Sequence, residues 1–176
     1  MQVISDILAG RDIIITVGSN TISASRPEIR PFQVKRTPNL FFTGREDALT
    51  ELDNQLKDRT RLAITSVQGM GGIGKTELAL QYAIAANKQG KYPGGICWLD
   101  VRGKNVADEI LDFASSYLNF IPPDDQTLSK KVEVCWNLWS LAFPEDKLIV
   151  LDDVAAYDQI KDFLPPYDAN LKVIIT

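Results

Sequence analysis

A run of eight residues at positions 69–76, GMGGIGKT, constrains the fold of this chain more than any other feature. It satisfies the pattern G-x-x-x-x-G-K-[ST] at every fixed position. Glycines in such a loop let the backbone approach phosphate oxygens, so that successive N–H groups form a nest for an anion. The ammonium of Lys75 can reach the β- and γ-phosphates, and the hydroxyl of Thr76 suits a Mg²⁺ ligand position. The run therefore predicts a site for a nucleoside diphosphate or triphosphate.

The sequence on either side of this run supports the same interpretation. Residues 61–67, RLAITSV, are rich in β-forming residues and predict a strand that leads into the loop. Apolar residues at helical spacing predict a helix from Thr76 onwards, whose N-terminus adds about half a positive charge near the phosphates. The residues predicted to bind the nucleotide through this loop and helix are Gly69, Gly71, Gly72, Ile73, Gly74, Lys75, Thr76 and Glu77.

The same glycines leave a second interpretation open. Gly69, Gly71 and Gly74 also satisfy G-x-G-x-x-G, the fingerprint of dinucleotide-binding proteins. Asp100 closes the next apolar run, where a ribose-binding acid would lie, although it follows Gly74 by 26 residues rather than the expected number of about 20. A later segment of the chain separates the two interpretations.

That segment is residues 147–154, KLIVLDDV, an apolar run that ends in two adjacent carboxylates, as in a Walker B element. At the carboxyl end of a parallel strand, one carboxylate can hold Mg²⁺ through water while its neighbour orients or deprotonates an attacking water. Because side chains alternate along a strand, Asp152 and Asp153 can share one site where the strand ends and the chain turns. Alone, such a pair is also typical of a solvated acidic turn. Together with the upstream loop, it favours a P-loop protein over a dehydrogenase.

Composition limits the chemistry and the partners. The absence of histidine excludes His-based general base catalysis and His-ligated zinc. With 19 basic and 23 acidic residues, the net charge of −4 gives no electrostatic signature of nucleic-acid or anionic-membrane binding. Cys97 and Cys135 lie in apolar patterns, so we expect buried, reduced thiols. The sequence has neither a membrane-spanning run nor a signal peptide, and we expect a cytoplasmic protein.

The 176 residues suffice for one α/β domain, which we place at residues 39–176 after a leader at residues 1–38. The leader reads as one strand, between Gly10 and Gly18, followed by a linker. This strand could pair with a partner or with another copy of the chain; the alternative is a partly ordered tail. In the domain, the order β-α-β-α-α-β-α-β predicts a mostly parallel sheet with helices on both faces. The strand and two helices between the glycine-rich loop and the acidic strand indicate the additional-strand class of P-loop NTPases.

These motifs resemble the NB-ARC nucleotide-binding domain of STAND signalling ATPases, in its bacterial form. The resemblance rests on GMGGIGKT, on LIVLDDV and on KVIIT at the end of the chain, and it covers residues 38–176. It implies that the chain binds ATP or ADP with Mg²⁺ and signals through other domains or protein partners. The segment FFTGRE resembles the element that lies near adenine in that family, which makes Phe42 and Arg45 candidate base-contacting residues. The resemblance also implies that Asp152 holds Mg²⁺ indirectly and that Asp153 is the hydrolytic carboxylate.

The sequence departs from the family after its last residue, Thr176. In the family this strand continues into Thr-Arg, whose Arg senses the γ-phosphate, and then into a helical subdomain and a winged helix. We therefore expect a fold truncated after the fourth core strand, which binds nucleotide with weak or no hydrolysis. If the chain is an enzyme, it is an ATPase with Lys75 and Asp153 as catalytic residues. Two alternatives remain: a small-molecule kinase of P-loop type, and a scaffold that binds no nucleotide and self-associates through its leader strand.

Overall fold

A computed structural model provides the structure of the chain. It describes residues 4–8, 12–17, 20–25, 27–34, 36–39, 45–58, 60–63, 74–123, 126–166 and 170–176. The predicted loop residues Gly69, Gly71, Gly72 and Ile73, and the predicted base-contacting residue Phe42, lie outside them.

The leader forms a three-stranded antiparallel sheet of β1 (Ile4–Leu8), β2 (Asp12–Val17) and β3 (Asn20–Ser25) in that order. The sequence predicted one strand, which corresponds to β2, so the prediction was incomplete. The sequences ISDIL and NTISAS lack a continuous β-forming pattern, and these segments are strands because β2 lies between them as a pairing partner. Ile13 of β2 is 2% exposed and joins the core against the fourth helix of the chain, so the leader packs on the rest of the protein.

A second, five-stranded sheet carries the rest of the fold. Its strands are β4 (Phe32–Gln33), β5 (Arg61–Ala63), β6 (Gly95–Asp100), β7 (Lys147–Asp152) and β8 (Leu171–Ile175), in the spatial order β4-β6-β7-β8-β5. All four pairings are parallel. Because β8 lies between β5 and the acidic strand β7, the sheet has the arrangement predicted for the additional-strand class. The α/β fold prediction is thus confirmed.

The fifth strand of this sheet, β4, was not predicted. It has two residues and lies on the leader side of the proposed boundary at residue 38. Phe32 pairs with Ile96 of β6, and the N–H of Ile96 donates to the carbonyl of Pro31 at 2.9 Å. So short a strand leaves no periodic pattern in the sequence, and it forms because the edge of β6 offers free backbone groups.

The helices cover both faces of this sheet, as predicted. They are α1 (Glu46–Asp58), α2 (Lys75–Lys88), α3 (Val106–Tyr117) and α4 (Leu128–Ala142), followed by a 3₁₀ helix at Tyr157–Gln159. Side chains of β7 alternate between two apolar clusters: Leu148 and Val150 pack with α1 and α2, and Ile149 and Leu151 pack with α3 and α4. The helix α2 therefore covers one face of the sheet. Its N-terminus lies at the carboxyl end of β7, where the candidate site is found.

The tryptophans and cysteines of the chain belong to this core. Trp136 and Trp139 of α4 are buried, and their indole N–H groups donate to the carbonyls of Phe163 and Gly94, both at 2.9 Å. These two side chains therefore belong to a packing surface of α4. Cys97 and Cys135 are buried thiols. Among the described residues, no helix is long and apolar enough to cross a membrane.

Candidate nucleotide-binding site

The candidate site lies where the carboxyl ends of β6, β7 and β8 meet the N-terminus of α2. Gly74 precedes the first turn of α2, and Lys75 and Thr76 begin the helix. The hydroxyl of Thr76 donates to Oδ1 of Asp152 at 2.7 Å. The last residue of the glycine-rich loop and the first acid of the 147–154 segment are therefore in direct contact, although they are far apart in the sequence.

Asp152 lies at the centre of a cluster of polar side chains that includes Thr76, Thr176 and Arg36. Its own side chain is 0% exposed. Its Oδ1 accepts hydrogen bonds from the hydroxyls of Thr76 and Thr176, each at 2.7 Å. Its Oδ2 accepts none among the described residues. Nη2 of Arg36 lies 3.0 Å from Oδ2, which is ion-pair distance without the alignment of a hydrogen bond. A buried carboxylate oxygen without a hydrogen bond is a costly feature that a bound cation would relieve.

The hydroxyl of Thr76 and the carboxylate of Asp152 are chemically suitable ligands for Mg²⁺, because Mg²⁺ prefers hard oxygen ligands and keeps several waters. The residues that would hold it are Thr76 and Asp152, together with phosphate oxygens of a nucleotide. Within the described ranges, no group of three or more His, Cys, Asp or Glu side chains is arranged to hold a metal ion.

Asp153 follows the end of β7 in a left-handed conformation, with φ of +66°. This conformation is uncommon for a residue with a Cβ and is concentrated at functional sites. The N–H of Asp153 donates to the hydroxyl of Thr176 at 3.0 Å. Its carboxylate forms an ion pair with the exposed guanidinium of Arg102. The hydrogen bond and the charge of this carboxylate raise the pKa of Arg102 above its ordinary value.

Arg45 lies at the N-terminus of α2, although it belongs to the segment before α1. A Cβ added to Gly74 would be 2.5 Å from Nη1 of Arg45, so the glycine leaves room for the guanidinium. That Nη1 is buried and has no hydrogen-bond acceptor among the described residues. The structure therefore places the Arg45 guanidinium beside the last glycine of the phosphate-binding pattern.

Glu77, another predicted nucleotide-binding residue, contacts the segment of residues 36–39. Its Oε1 accepts from the N–H of Asn39 at 2.9 Å and from Nε2 of Gln81 at 2.7 Å. Gln81 also donates to the carbonyl of Asn39 at 3.1 Å. The first turns of α2 thus hold segment 36–39 beside the site.

Three residues of this cluster were missed by sequence reasoning: Arg36, Arg102 and Thr176. Arg102 and Thr176 come just after the ends of β6 and β8, and a polar residue directly after a parallel strand is a usable signal because these ends meet at one edge of the sheet. Arg36 carried no such signal, since β4 itself was not predicted.

The order of the parallel sheet, with α2 opening against the acidic end of β7, defines a P-loop NTPase fold. The NB-ARC domain family matches residues 45–176 of this chain. The chain therefore belongs to the NB-ARC family of P-loop nucleotide-binding domains.

Two regulatory proteins named AfsR are among the relatives. The one from Streptomyces griseus is 30% identical over 142 residues, which are 78% of this chain and 14% of that protein. The one from Streptomyces coelicolor is 25% identical over 171 residues, which are 92% of this chain and 17% of that protein. A probable disease resistance protein of Arabidopsis thaliana is 27% identical over 139 residues, 77% of this chain and 15% of that protein. The chain spans less than a fifth of each relative.

A solved structure, that of the Aeropyrum pernix ORC2 protein in ADPNP–ADP complexes, aligns with a TM-score of 0.46 and 16% sequence identity. The alignment covers 81% of this chain and 43% of that one.

Proposed function

We propose that this chain is the ATP- or ADP-binding switch module of a STAND-type signalling ATPase. The loop at residues 69–76 would hold the phosphates, and Thr76 and Asp152 would hold Mg²⁺. The observation that carries the proposal is the 2.7 Å hydrogen bond between Thr76 and Asp152, at the end of a strand and the start of a helix. Membership of the NB-ARC family supports the same function.

The residues of the candidate site have different parts in this proposal. Lys75 would pair with the β- and γ-phosphates, and the N-terminus of α2 would add its partial positive charge. Arg45, whose buried Nη1 has no acceptor among the residues that the structure describes, would donate to the bound nucleotide. Mg²⁺ would neutralise charge between the phosphate oxygens. Glu77 stays a proposed nucleotide contact at the start of α2, and Phe42 stays one by family likeness.

The turnover of this module is proposed to be weak. Asp153 is the proposed hydrolytic carboxylate, and its ion pair with Arg102 engages Oδ2, one of the two oxygens that would accept a hydrogen bond from water. A carboxylate held in this way is a poorer general base than a free one, because proton transfer competes with the ion pair. Binding with slow or no release of phosphate is the expected behaviour.

The remaining parts of the proposal concern organisation. We propose a leader at residues 1–38, a nucleotide-binding domain from residue 39, and protein partners in a signalling assembly. A cytoplasmic location is also proposed, and the two buried thiols support it because reduced cysteines are the rule there.

Thermal unfolding with and without Mg-ADP or Mg-ATP tests the proposal. At a ligand concentration 100 times the Kd, binding adds about 2.7 kcal/mol of stability, which raises the Tm of a chain of this length by roughly 5–10 °C. We expect this rise in the wild-type chain and in Lys88→Ala, an exposed lysine in the last turn of α2, but not in Lys75→Ala. A Tm that no nucleotide raises in the wild-type chain, with bound ligand removed beforehand, refutes the proposal and favours the scaffold alternative.

Phosphate release in the same samples separates the switch from the kinase alternative. A switch module releases phosphate slowly and without regard to added small molecules. Steady turnover that depends on an added phosphoryl acceptor would favour a kinase instead.

A further inference from the structure

Segment 36–39 lies beside the candidate site and connects two parts of the fold. It follows β4, the edge strand next to β6, and it precedes α1. Its backbone is held at Asn39 by Glu77 and Gln81 of α2. Arg36, at the other end of the segment, extends its guanidinium to the carboxyl ends of β6 and β7.

The guanidinium of Arg36 meets both acids that end these strands. Its Nη2 lies 3.0 Å from Oδ2 of Asp152 and 3.8 Å from Oδ2 of Asp100. The two partners of the shorter contact differ sharply in exposure, since the side chain of Arg36 is 40% exposed and that of Asp152 is 0% exposed. Within the described part of the chain, the oxygen that Arg36 contacts is the one without a hydrogen bond. Arg36 therefore supplies the charge that balances a buried carboxylate.

A guanidinium and a divalent cation cannot both remain at this oxygen. Two positive charges a few ångströms apart repel strongly where water is excluded. A lysine or histidine could lose its proton, but arginine keeps its charge in proteins. The conflict is therefore resolved by movement, and Arg36 is the partner that can move, because it is partly in water whereas Asp152 is enclosed. Asp152 in turn needs one cation at all times, since an unpaired buried charge is strongly destabilising.

We propose that Arg36 is a built-in competitor of Mg²⁺ for Asp152, so that binding of a Mg-nucleotide displaces Arg36 and loosens segment 36–39. This inference rests on the proposed function of the same site. The displacement gives the nucleotide a physical connection to β4, because segment 36–39 follows β4 in the chain and lies beside the site. A nucleotide without metal leaves the ion pair in place.

Arg102 provides a matched control for Arg36. It is an arginine at the same edge of the sheet, where the carboxyl ends of β6 and β7 lie, and it pairs with Asp153 rather than with Asp152. Arg36→Gln and Arg102→Gln each remove one positive charge from the site. A general electrostatic effect on Mg²⁺ appears in both variants, whereas competition at Asp152 appears in Arg36→Gln.

The measurement is the Kd for ADP by calorimetry, in Mg²⁺ and in EDTA, for the wild-type chain and both variants. The metal factor is the Kd in EDTA divided by the Kd in Mg²⁺. Removing a partly exposed ion pair that opposes the metal should raise this factor by roughly threefold to tenfold in Arg36→Gln. In Arg102→Gln it should change by less than about twofold, since the side chain of Arg102 is 79% exposed and its pair does not involve Asp152.

Hydrogen exchange of the amide of Asn39, which is bonded to Glu77, gives a second readout. It should become faster when Mg-ADP binds and stay unchanged when ADP binds in EDTA. A metal factor that is unchanged or lower in Arg36→Gln, or that rises equally in both variants, overturns the inference while leaving nucleotide binding intact. If no variant binds ADP under either condition, the proposed function fails and this inference fails with it.

Discussion

The hydroxyl of Thr176 is the best place to test by mutation how Asp152 and Asp153 are held at the carboxyl end of β7. It donates to Oδ1 of Asp152 at 2.7 Å and accepts from the N–H of Asp153 at 3.0 Å. Its backbone continues the sheet, with N–H donation to the carbonyl of Leu151 at 3.0 Å. Thr176→Val keeps the β-branched shape and the backbone, and it removes both hydroxyl interactions.

The expected loss follows from these two hydrogen bonds. A hydrogen bond to a charged group contributes about 1.5–3 kcal/mol, and a part-buried N–H left without an acceptor costs about 1 kcal/mol or more. Thr176→Val should therefore lower the free energy of unfolding by about 3 kcal/mol. For a chain of this length, that corresponds to a decrease in Tm of roughly 6–12 °C.

Urea unfolding followed by tryptophan fluorescence measures this loss. Thr127→Val is the matched control, because Thr127 precedes α4 with an exposed side chain that makes no capping hydrogen bond. Its free energy of unfolding should stay within about 0.5 kcal/mol of the wild-type value. If Thr176→Val costs less than about 1 kcal/mol, or no more than Thr127→Val, the hydroxyl does not hold the two acids and the reasoning about this edge is wrong.

Three further outcomes are expected. Gly95→Ala should lose at least about 2 kcal/mol more stability than Gly90→Ala in urea unfolding: both glycines have positive φ, but a Cβ at Gly95 would lie 2.6 Å from the carbonyl oxygen of Pro31, and one at Gly90 meets nothing within 4 Å. Burial opposes ionisation of Asp53, but hydrogen bonds from Lys91 and Tyr82 outweigh burial and lower the pKa of this carboxyl. The stabilisation that the Asp53 carboxylate provides is therefore complete above the pKa of an unfolded aspartate. It is lost as the pH falls through the lower pKa of the folded state. Asp53→Asn should consequently cost about 1 kcal/mol at pH 6 and much less at pH 2.5, and an equal cost at both pH values would contradict this. Burial raises the pKa of the Cys135 thiol to about 12, and Cys97 is fully buried, so Ellman's reagent at pH 8 should detect no fast thiol in the folded chain and two after denaturation.

The parts of the fold with long, regular patterns could be predicted from sequence. The run that became β7 is apolar throughout because both of its faces are covered, and α4 shows its apolar stripe because one face packs on the sheet. The separation of β5 from β7 followed from the additional-strand class, which the elements between the loop and the acidic strand indicated; that β8 fills the gap came from the structure. By contrast, β1, β3 and β4 are strands because of what lies beside them, and no local pattern indicated them.

The candidate site also contains residues that the sequence could indicate and residues that it could not. Thr76 and Asp152 belong to motifs whose spacing carries chemistry, and the structure brings them into contact. Arg36 and Arg102 belong to no motif. Their positions depend on which strands are neighbours, since Arg36 follows β4 and Arg102 follows β6. The sequence could therefore indicate the residues that we propose to contact phosphate, whereas the cations that balance the acids required the three-dimensional arrangement.

Calorimetric titration of the wild-type chain with ADP in Mg²⁺ shows whether the loop at residues 69–76 is a phosphate site, because it reports both affinity and stoichiometry. The account predicts one ADP bound per chain, the same result in Lys88→Ala, and no binding in Lys75→Ala. Binding that persists unchanged in Lys75→Ala, or a folded wild-type chain that binds no ADP, would contradict the claim that the loop at residues 69–76 is a phosphate site.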